Sequence, residues 1–402
     1  MEGQAAANLT LPEALLDFLD DNGIDSSIYK LNDSIPRYIR LKPGRESLIK
    51  EIETEINHEL KGVDWLPNFF SLPPDVQIAK TKAYKEGKIY GIDAASGAAV
   101  SALSISPGDH ILDLCSAPGA KLCMMLDLLG GSGSVTGVDV ARHRLAACRT
   151  MLLKYGIGDH CRLFVANGTK FSLPPVVRTV HTGEPQVEEP QIVYKEWSLK
   201  KRPWKERKRI NKAMSLGTSL INLGTENPEL MFYGQHSGIV GLTENQLYQA
   251  VDDDDLMFYG YDKVLVDAEC THDGSIKHIQ KFEQWGWQTF QNRVLDAERT
   301  DELSVLQLGL LTNGFRLLKA GGYLIYSTCS LTIAQNEDVV ERFLLQNASA
   351  KLVEIDASSN WPCRIGYIGK TIRFDPTTSR TSGLFIAKFT KLKIRMQVHL
   401  FY

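Results

Sequence analysis

What the 402 residues lack narrows the field first. No run of about 18 apolar residues occurs, so a membrane-spanning helix is not expected. The opening stretch, MEGQAAANLTLPEALLDFLDDNG, carries acids early and no basic segment before its apolar positions. It reads as an amphipathic helix rather than a signal or transit peptide. The seven cysteines are odd in number and no pair is spaced CxxC. That argues against a disulfide framework or a zinc site and for free thiols in a reducing compartment. The net charge is only −3, so any nucleic-acid contact would need a local basic patch. Neither G-x-G-x-x-G nor G-x-x-x-x-G-K-[ST] is present. Their absence disfavours a nicotinamide-dependent oxidoreductase and a phosphate-cradling loop.

What is there is a change of rhythm near residue 107. Upstream the chain mixes loop with helical patterning at 11–20 and 46–60. Downstream, short apolar strands alternate with amphipathic helices, the pattern of a parallel sheet. The expected strands are 110–115, 134–140, 161–167, 263–269 and 321–329, with 383–391 as one arm of a terminal antiparallel pair. Helices are expected over 119–130, 141–155, 300–319 and 335–347. The interval 172–258 breaks this rhythm with prolines, a basic cluster and the acidic run VDDDDL, and reads as a flexible insertion. Within Lys195–Lys212, nine Lys or Arg stand against two Glu, with Trp197 and Trp204 interleaved. RNA contact or nuclear import is weighed there against a solvated loop that balances the nearby acids.

A cofactor site is expected where an apolar strand runs through Asp113 into Cys115-Ser116-Ala117-Pro118-Gly119-Ala120-Lys121 and then a helix. Ligands of open α/β sheets bind at the carboxyl ends of strands, and a tight small-residue turn lets backbone approach them. S-adenosylmethionine has no phosphate to cradle, which suits a turn without the glycine fingerprint. Asp139, closing the second strand, can accept both ribose hydroxyls. Asn167, closing the third, is aimed at adenine or forms an Asx turn before Gly168.

Most of the cysteines are read as small core residues. Cys270 and Cys329 are the exceptions, because each closes a strand on the rim that holds the cofactor. At this point LDLCSAPGAK, GVDV, VLVDAEC, YSTCS followed by Gln335-Asn336-Glu337, and TSGLFIAKF occur in order. PRYIRLKPG and YGIDAASGAAVSAL precede them. Together these segments resemble the Sun/Nop2-type (Fmu/RsmB-like) RNA cytosine-C5 methyltransferase family, from about residue 36 to 391.

The resemblance implies an α/β, Rossmann-like class I methyltransferase with a doubly wound, mostly parallel sheet. A terminal antiparallel strand completes it. A small α+β region, residues 1–106, would precede residues 107–402 and help position RNA. It implies S-adenosylmethionine as cofactor and tRNA or rRNA as partner, with no metal and no membrane; a monomer in nucleus or cytoplasm is expected. By match to the family motifs, Cys329 is the nucleophile that adds to C6 of cytosine. Cys270 promotes release of the adduct, and Asp267 holds the base and also borders the cofactor. Lys121 belongs to the cofactor turn and is a candidate for lowering a thiolate pKa.

Three departures stand out: Glu269 replaces proline in D-x-P-C, the turn reads S-A-P-G-A for A-A-P-G-G, and Asn167 replaces an acid. Glu269 is expected to disfavour a thiolate at Cys270. The altered turn and Glu269 together define an alternative, a catalytically impaired RNA- or cofactor-binding protein of the same fold. DNA as substrate fits less well, since the fourth-strand P-C motif has lost its proline while the T-C motif is complete. His272, Asp273, His278 and Glu283 follow Cys270, but their spacing is poor for a metal and a substrate-facing loop is the better reading. Trp285 and Trp287 are candidates for stacking on unpaired bases, against packing under that loop.

Overall fold

The computed structural model of the chain describes residues 11–176, 228–249, 251–279, 281–290 and 297–393. Four short strands, β1 (Arg37–Leu41), β2 (Lys61–Gly62), β3 (Phe69–Leu72) and β4 (Ile89–Gly91), form an antiparallel sheet in the order β2-β3-β1-β4. Ahead of it, the helix Glu13–Asp21 buries Leu15 and Leu19, the apolar stripe its spacing predicted. These residues pack with Ile28 and Tyr29 against Ile276, Ile279, Phe282 and Phe290, far downstream. The helix predicted over 46–60 is shorter, running Ile49–Ile56 after a 3-10 turn. Asn57 ends it in the left-handed conformation, φ 54°, that such side chains tolerate at a C-terminal cap.

The large sheet holds β5 (His110–Asp113), β6 (Ser134–Asp139), β7 (Cys161–Val165), β8 (Glu229–Tyr233), β9 (Tyr261–Asp267) and β10 (Leu318–Thr328). It continues with β11 (Ala350–Val353), β12 (Arg364–Ile365), β13 (Ile372–Phe374) and β14 (Leu384–Lys391). Its order is β12-β13-β14-β10-β9-β5-β6-β7-β8, with β11 also pairing β14. The pairs β5–β6, β6–β7, β5–β9 and β9–β10 are parallel. This is a Rossmann-like arrangement, with parallel strands at the centre of the sheet. Ile111 and Leu112 feed hydrophobic clusters on opposite faces of it, because successive side chains of a strand alternate. Helices Ala120–Leu129 and Arg142–Tyr155 cover one face, Ala297–Leu317 and Glu337–Gln346 the other.

Two expectations need correction. The antiparallel part is more than one terminal arm, since β14 lies inside the sheet, paired with β10 on one side and with β11 and β13 on the other. The interval 172–258 is also not wholly an insertion, because β8 adds an antiparallel edge strand to β7. The acidic run builds the helix Asp253–Tyr259, with Asp253, Asp254 and Asp255 in its first turn. Carboxylates are favoured there by the partial positive charge of the helix N-terminus. The basic cluster Lys195–Lys212, with Trp197 and Trp204, lies outside the described residues. Among those residues no helix is long and apolar enough to cross a membrane.

Candidate active site

A cavity of about 810 Å³ opens at the carboxyl ends of the central strands. Strand order turns there, with β6 on one side of β5 and β9 on the other, which is where open α/β sheets hold their ligands. The volume is that of a site for a cofactor-sized molecule with room beside it.

One wall is the turn after β5. Cys115, Ala117, Pro118 and Lys121 line the cavity, whereas Ser116, Gly119 and Ala120 stand behind it and shape the turn. Ser116 hydroxyl donates to the Val138 carbonyl at 3.2 Å, tying the turn to β6. Gly119 caps the helix at φ 107°, and a Cβ there would come within 3.1 Å of Cys148 Cα, so glycine is required on both counts. Ala120 is the first helical residue, where alanine is favoured over the family's glycine. Asp139 accepts the backbone N–H of Ala117 at 3.2 Å and of Ala141 at 2.8 Å. Its carboxylate therefore braces the turn while bordering the cavity.

Asn167 also borders the cavity, but its Oδ1 accepts from Thr169 backbone N–H at 3.0 Å, so the Asx turn is what forms. Asp113 is buried below the turn, off the cavity wall, and burial pushes its carboxyl up to about 8, with Asp267 adding to the effect. Cys115 is held well above the ordinary thiol range by burial and then by Asp113, so it is an inert thiol.

The opposite wall carries the two cysteines singled out from the sequence. Cys270 follows β9 and Cys329 follows β10, which are parallel neighbours with Asp267 in register with Ser327. Their sulfurs lie 3.3 Å apart. The loops that carry them touch backbone to backbone. Gly274 N–H donates to the Cys329 carbonyl at 2.9 Å, and a Cβ on Gly274 would meet that oxygen at 2.7 Å. Behind them, Gln335 Nε2 donates to Thr271 Oγ1 at 2.9 Å, and Asn336 Nδ2 to the Ser330 carbonyl at 2.9 Å. Arg373, paired with Glu337, donates to the Leu331 carbonyl at 2.8 Å. The Gln335-Asn336-Glu337 motif thus clamps the loop that carries Cys329 from below.

Asp267 sits between the two walls. It accepts from Lys121 Nζ at 2.6 Å and from the Ser327 hydroxyl at 2.7 Å. Burial works against the Lys121 charge, but the Asp267 carboxylate overrides it and lifts the ammonium pKa above its ordinary value. Lys121 is therefore committed to Asp267. The group nearest the thiols is His272, whose Nδ1 lies 3.0 Å from Cys329 Sγ and 3.7 Å from Cys270 Sγ.

The largest influences on Cys270 do not include Glu269. Burial alone would raise the Cys270 thiol, yet the hydrogen bond from Cys329 and the charge of His272 together bring it well below the usual thiol range. The Cys329 thiol is correspondingly pushed up, first by its hydrogen bond to Cys270 and then by burial. His272 is raised to about 9, chiefly by the Cys270 charge against the opposing effect of burial, and Glu269 supports it. The exposed Glu269 favours the His272 imidazolium.

Cys270, His272 and Cys329 bring three soft donor atoms within 4.8 Å of one another. Two thiolates on a tetrahedral zinc would sit ~3.8 Å apart, so sulfurs at 3.3 Å describe a hydrogen-bonded pair better than a ligand set. His278 lines the cavity too, while Asp273 is fully buried and accepts from Leu331 N–H at 2.6 Å. The Glu283 side chain lies outside the described residues. Trp287 packs beneath the loop with Phe290 and Trp285 is half exposed. The sequence reading missed Asp93, Arg144 and Ser382, which also line the cavity. Asp93 carries a detectable signal, since it caps the helix Ala94–Ala102 by accepting from Ala95 N–H at 3.0 Å.

The residues present fit S-adenosylmethionine. Asp93, Asp139, Asp267 and Glu269 outnumber Lys121, Arg144 and the His272 imidazolium on the wall, which favours a sulfonium cation, and Leu114, Leu306 and Leu310 offer an apolar surface for a flat base. Fold and site together define a class I, S-adenosylmethionine-dependent methyltransferase. The family described as 16S rRNA methyltransferase RsmB/F matches residues 100–173 and 240–390, more than half of the chain, and the chain belongs to it.

Among relatives, a tRNA (cytosine(49)-C(5))-methyltransferase of Pyrococcus abyssi is 24% identical over 384 residues, 90% of this chain and 93% of that protein. The 5-cytosine rRNA methyltransferase NSUN4 of Bos taurus is 27% identical over 274 residues, 66% of this chain and 48% of that protein. The chain therefore spans nearly all of the archaeal relative and about half of the bovine one. A crystal structure of NSun6 from Pyrococcus horikoshii with SFG shares the fold at a TM-score of 0.60 and 16% identity, covering 95% of this chain and 99% of that one.

Proposed function

We propose that this chain methylates C5 of a cytosine in tRNA or rRNA, with Cys329 adding to C6 of the base. Its family makes it an S-adenosylmethionine-dependent RNA cytosine-C5 methyltransferase. The observation that carries the covalent route is the pair of sulfurs 3.3 Å apart on one wall of the cavity, facing the cofactor turn across Asp267.

Cytosine C5 is too weak a nucleophile to take a methyl group unaided. Sulfur bonds to C6, the C5=C6 electron pair moves toward C5, and the thiol proton ends on N3. When bound, S-adenosylmethionine would supply the electrophilic methyl group that C5 takes. Asp267 holds the base at N3 or N4 and assists that protonation. Cys270, as thiolate, removes the C5 proton; the released pair restores C5=C6 and expels Cys329, whose sulfur takes the proton back from N3. The base must be unpaired or extruded to reach both walls. Residues 1–106 contribute to positioning the RNA, a role supported by the packing of Leu15, Leu19 and Tyr29 on the segment that follows Cys270.

Labelled S-adenosylmethionine and RNA depleted of 5-methylcytosine test the assignment. Cys329→Ala loses at least about a thousandfold in turnover while still binding the cofactor; retained transfer would reject Cys329 as the nucleophile. Cys270→Ala accumulates a protein–RNA adduct stable on a denaturing gel. If none forms with a methylated substrate, Cys270 is not the group that serves release.

A further inference from the structure

His272 sits at φ 58°, a left-handed conformation that costs a residue bearing a Cβ. There its Nδ1 reaches both reactive sulfurs, at 3.0 Å from Cys329 and 3.7 Å from Cys270. Its ring packs on that of His278, centroids 4.8 Å apart. The charged groups acting on the cluster are Asp267 and Glu269 on the β9 side, with Asp273 acting on Cys329. Lys121, the other cation on this side, is held by Asp267.

We propose that His272 is a catalytic residue of this reaction: its imidazolium is the counter-charge that keeps one of the two thiols ionised and steadies that charge on Cys329 Sγ. The proposal rests on the covalent route above and deepens it. Two sulfurs and one imidazole share two protons. The Cys329 S–H bond breaks with its electron pair left on sulfur, and the proton crosses the 3.3 Å contact to the Cys270 thiolate. The Cys329 pair then forms the bond to C6. Cys270 hands the proton on toward N3 and is again a thiolate, ready for the C5 proton. His272 stays protonated throughout and so does not compete for either transfer.

The test is the pH dependence of iodoacetamide alkylation in the full-length protein, mapped by mass spectrometry at Cys270 and Cys329. His272→Asn and His272→Gly are the variants, because both accept a left-handed backbone and should fold. In wild type the first alkylation midpoint lies well below that of a free thiol. In both variants it rises by at least about one pH unit, with about a tenfold slower reaction at pH 7. With substrate RNA, kcat falls about a hundredfold while KM for S-adenosylmethionine is unchanged, and added imidazole restores part of the His272→Gly activity. Unchanged alkylation midpoints in both variants overturn the proposal. So does a shifted midpoint with unchanged kcat, since the charge would then be idle. If wild type methylates no RNA, the covalent route fails, while the alkylation profile still decides whether the ion pair exists.

Discussion

The cavity has two walls held in different ways. On the cofactor side, the turn after β5 is fixed largely through its own backbone groups: Ser116 N–H donates to the Val138 carbonyl at 3.0 Å, Ala117 N–H donates to the Asp139 carboxylate, and Gly119 turns the chain into its helix. On the thiol side, the loops after β9 and β10 are held mainly by side chains, with Gln335, Asn336 and the Glu337–Arg373 pair beneath them. A backbone-built wall is rigid, local and tolerant of side-chain change, which is why S-A-P-G-A can stand where the family has A-A-P-G-G. A side-chain-built wall is a buried polar network, and such networks fail together when one member is removed.

Three changes sharpen this contrast. Arg373→Met leaves Glu337 buried without its partner and should cost about 3–5 kcal/mol of stability by urea titration. The folded fraction should keep its affinity for S-adenosylmethionine by calorimetry while the Cys329 alkylation rate changes. An equal loss of cofactor affinity would mean that the two walls are not separable.

The second concerns Asp113, under the cofactor wall. Its carboxyl is raised to about 8 by burial, against about 4 in the unfolded chain. Between those values the folded protein binds the extra proton, so this contribution is full below about pH 4 and is lost as pH rises through about 8. Asp113→Asn cannot ionise, so it should gain about 2 kcal/mol over wild type between pH 6 and pH 9 in denaturant melts. Parallel pH profiles for the two proteins would refute the buried-acid assignment.

The smallest effect is expected at Gly119. Gly119→Ala adds a Cβ at φ 107° beside Cys148 and should cost about 1–2 kcal/mol. Cofactor affinity should drop a few-fold, with the alkylation profiles of Cys270 and Cys329 unmoved. A shifted profile would show that the thiol wall leans on the turn.

The same contrast explains what could be read before the fold was seen. The cofactor wall lies within one strand–turn–helix stretch, 110–129, so residue spacing alone carries it. The thiol wall joins residues 59 positions apart, and its closest partner for Cys329 is His272, which the sequence places in a substrate-facing loop without giving it a role. Lys121 was a reasonable candidate for that role until its pairing with Asp267 became visible. The acidic run at 252–255 looked like insertion filler, because a helix N-terminus is recognised by its dipole only once the helix is placed.

Local order, then, belonged to the sequence: alternating strands and helices from residue 107, the small-residue turn, an acid at the end of β6, and a cysteine at the end of each of two strands. These follow from steric preference and hydrophobic period, which act over a few residues. The tertiary structure decided which charges meet. It placed β9 beside β10, set the sulfurs 3.3 Å apart, gave Lys121 to Asp267 and His272 to the thiols, and put Glu269 where it supports the charge on His272. Electrostatic energy depends on distance and burial through space, and neither is written in spacing along the chain.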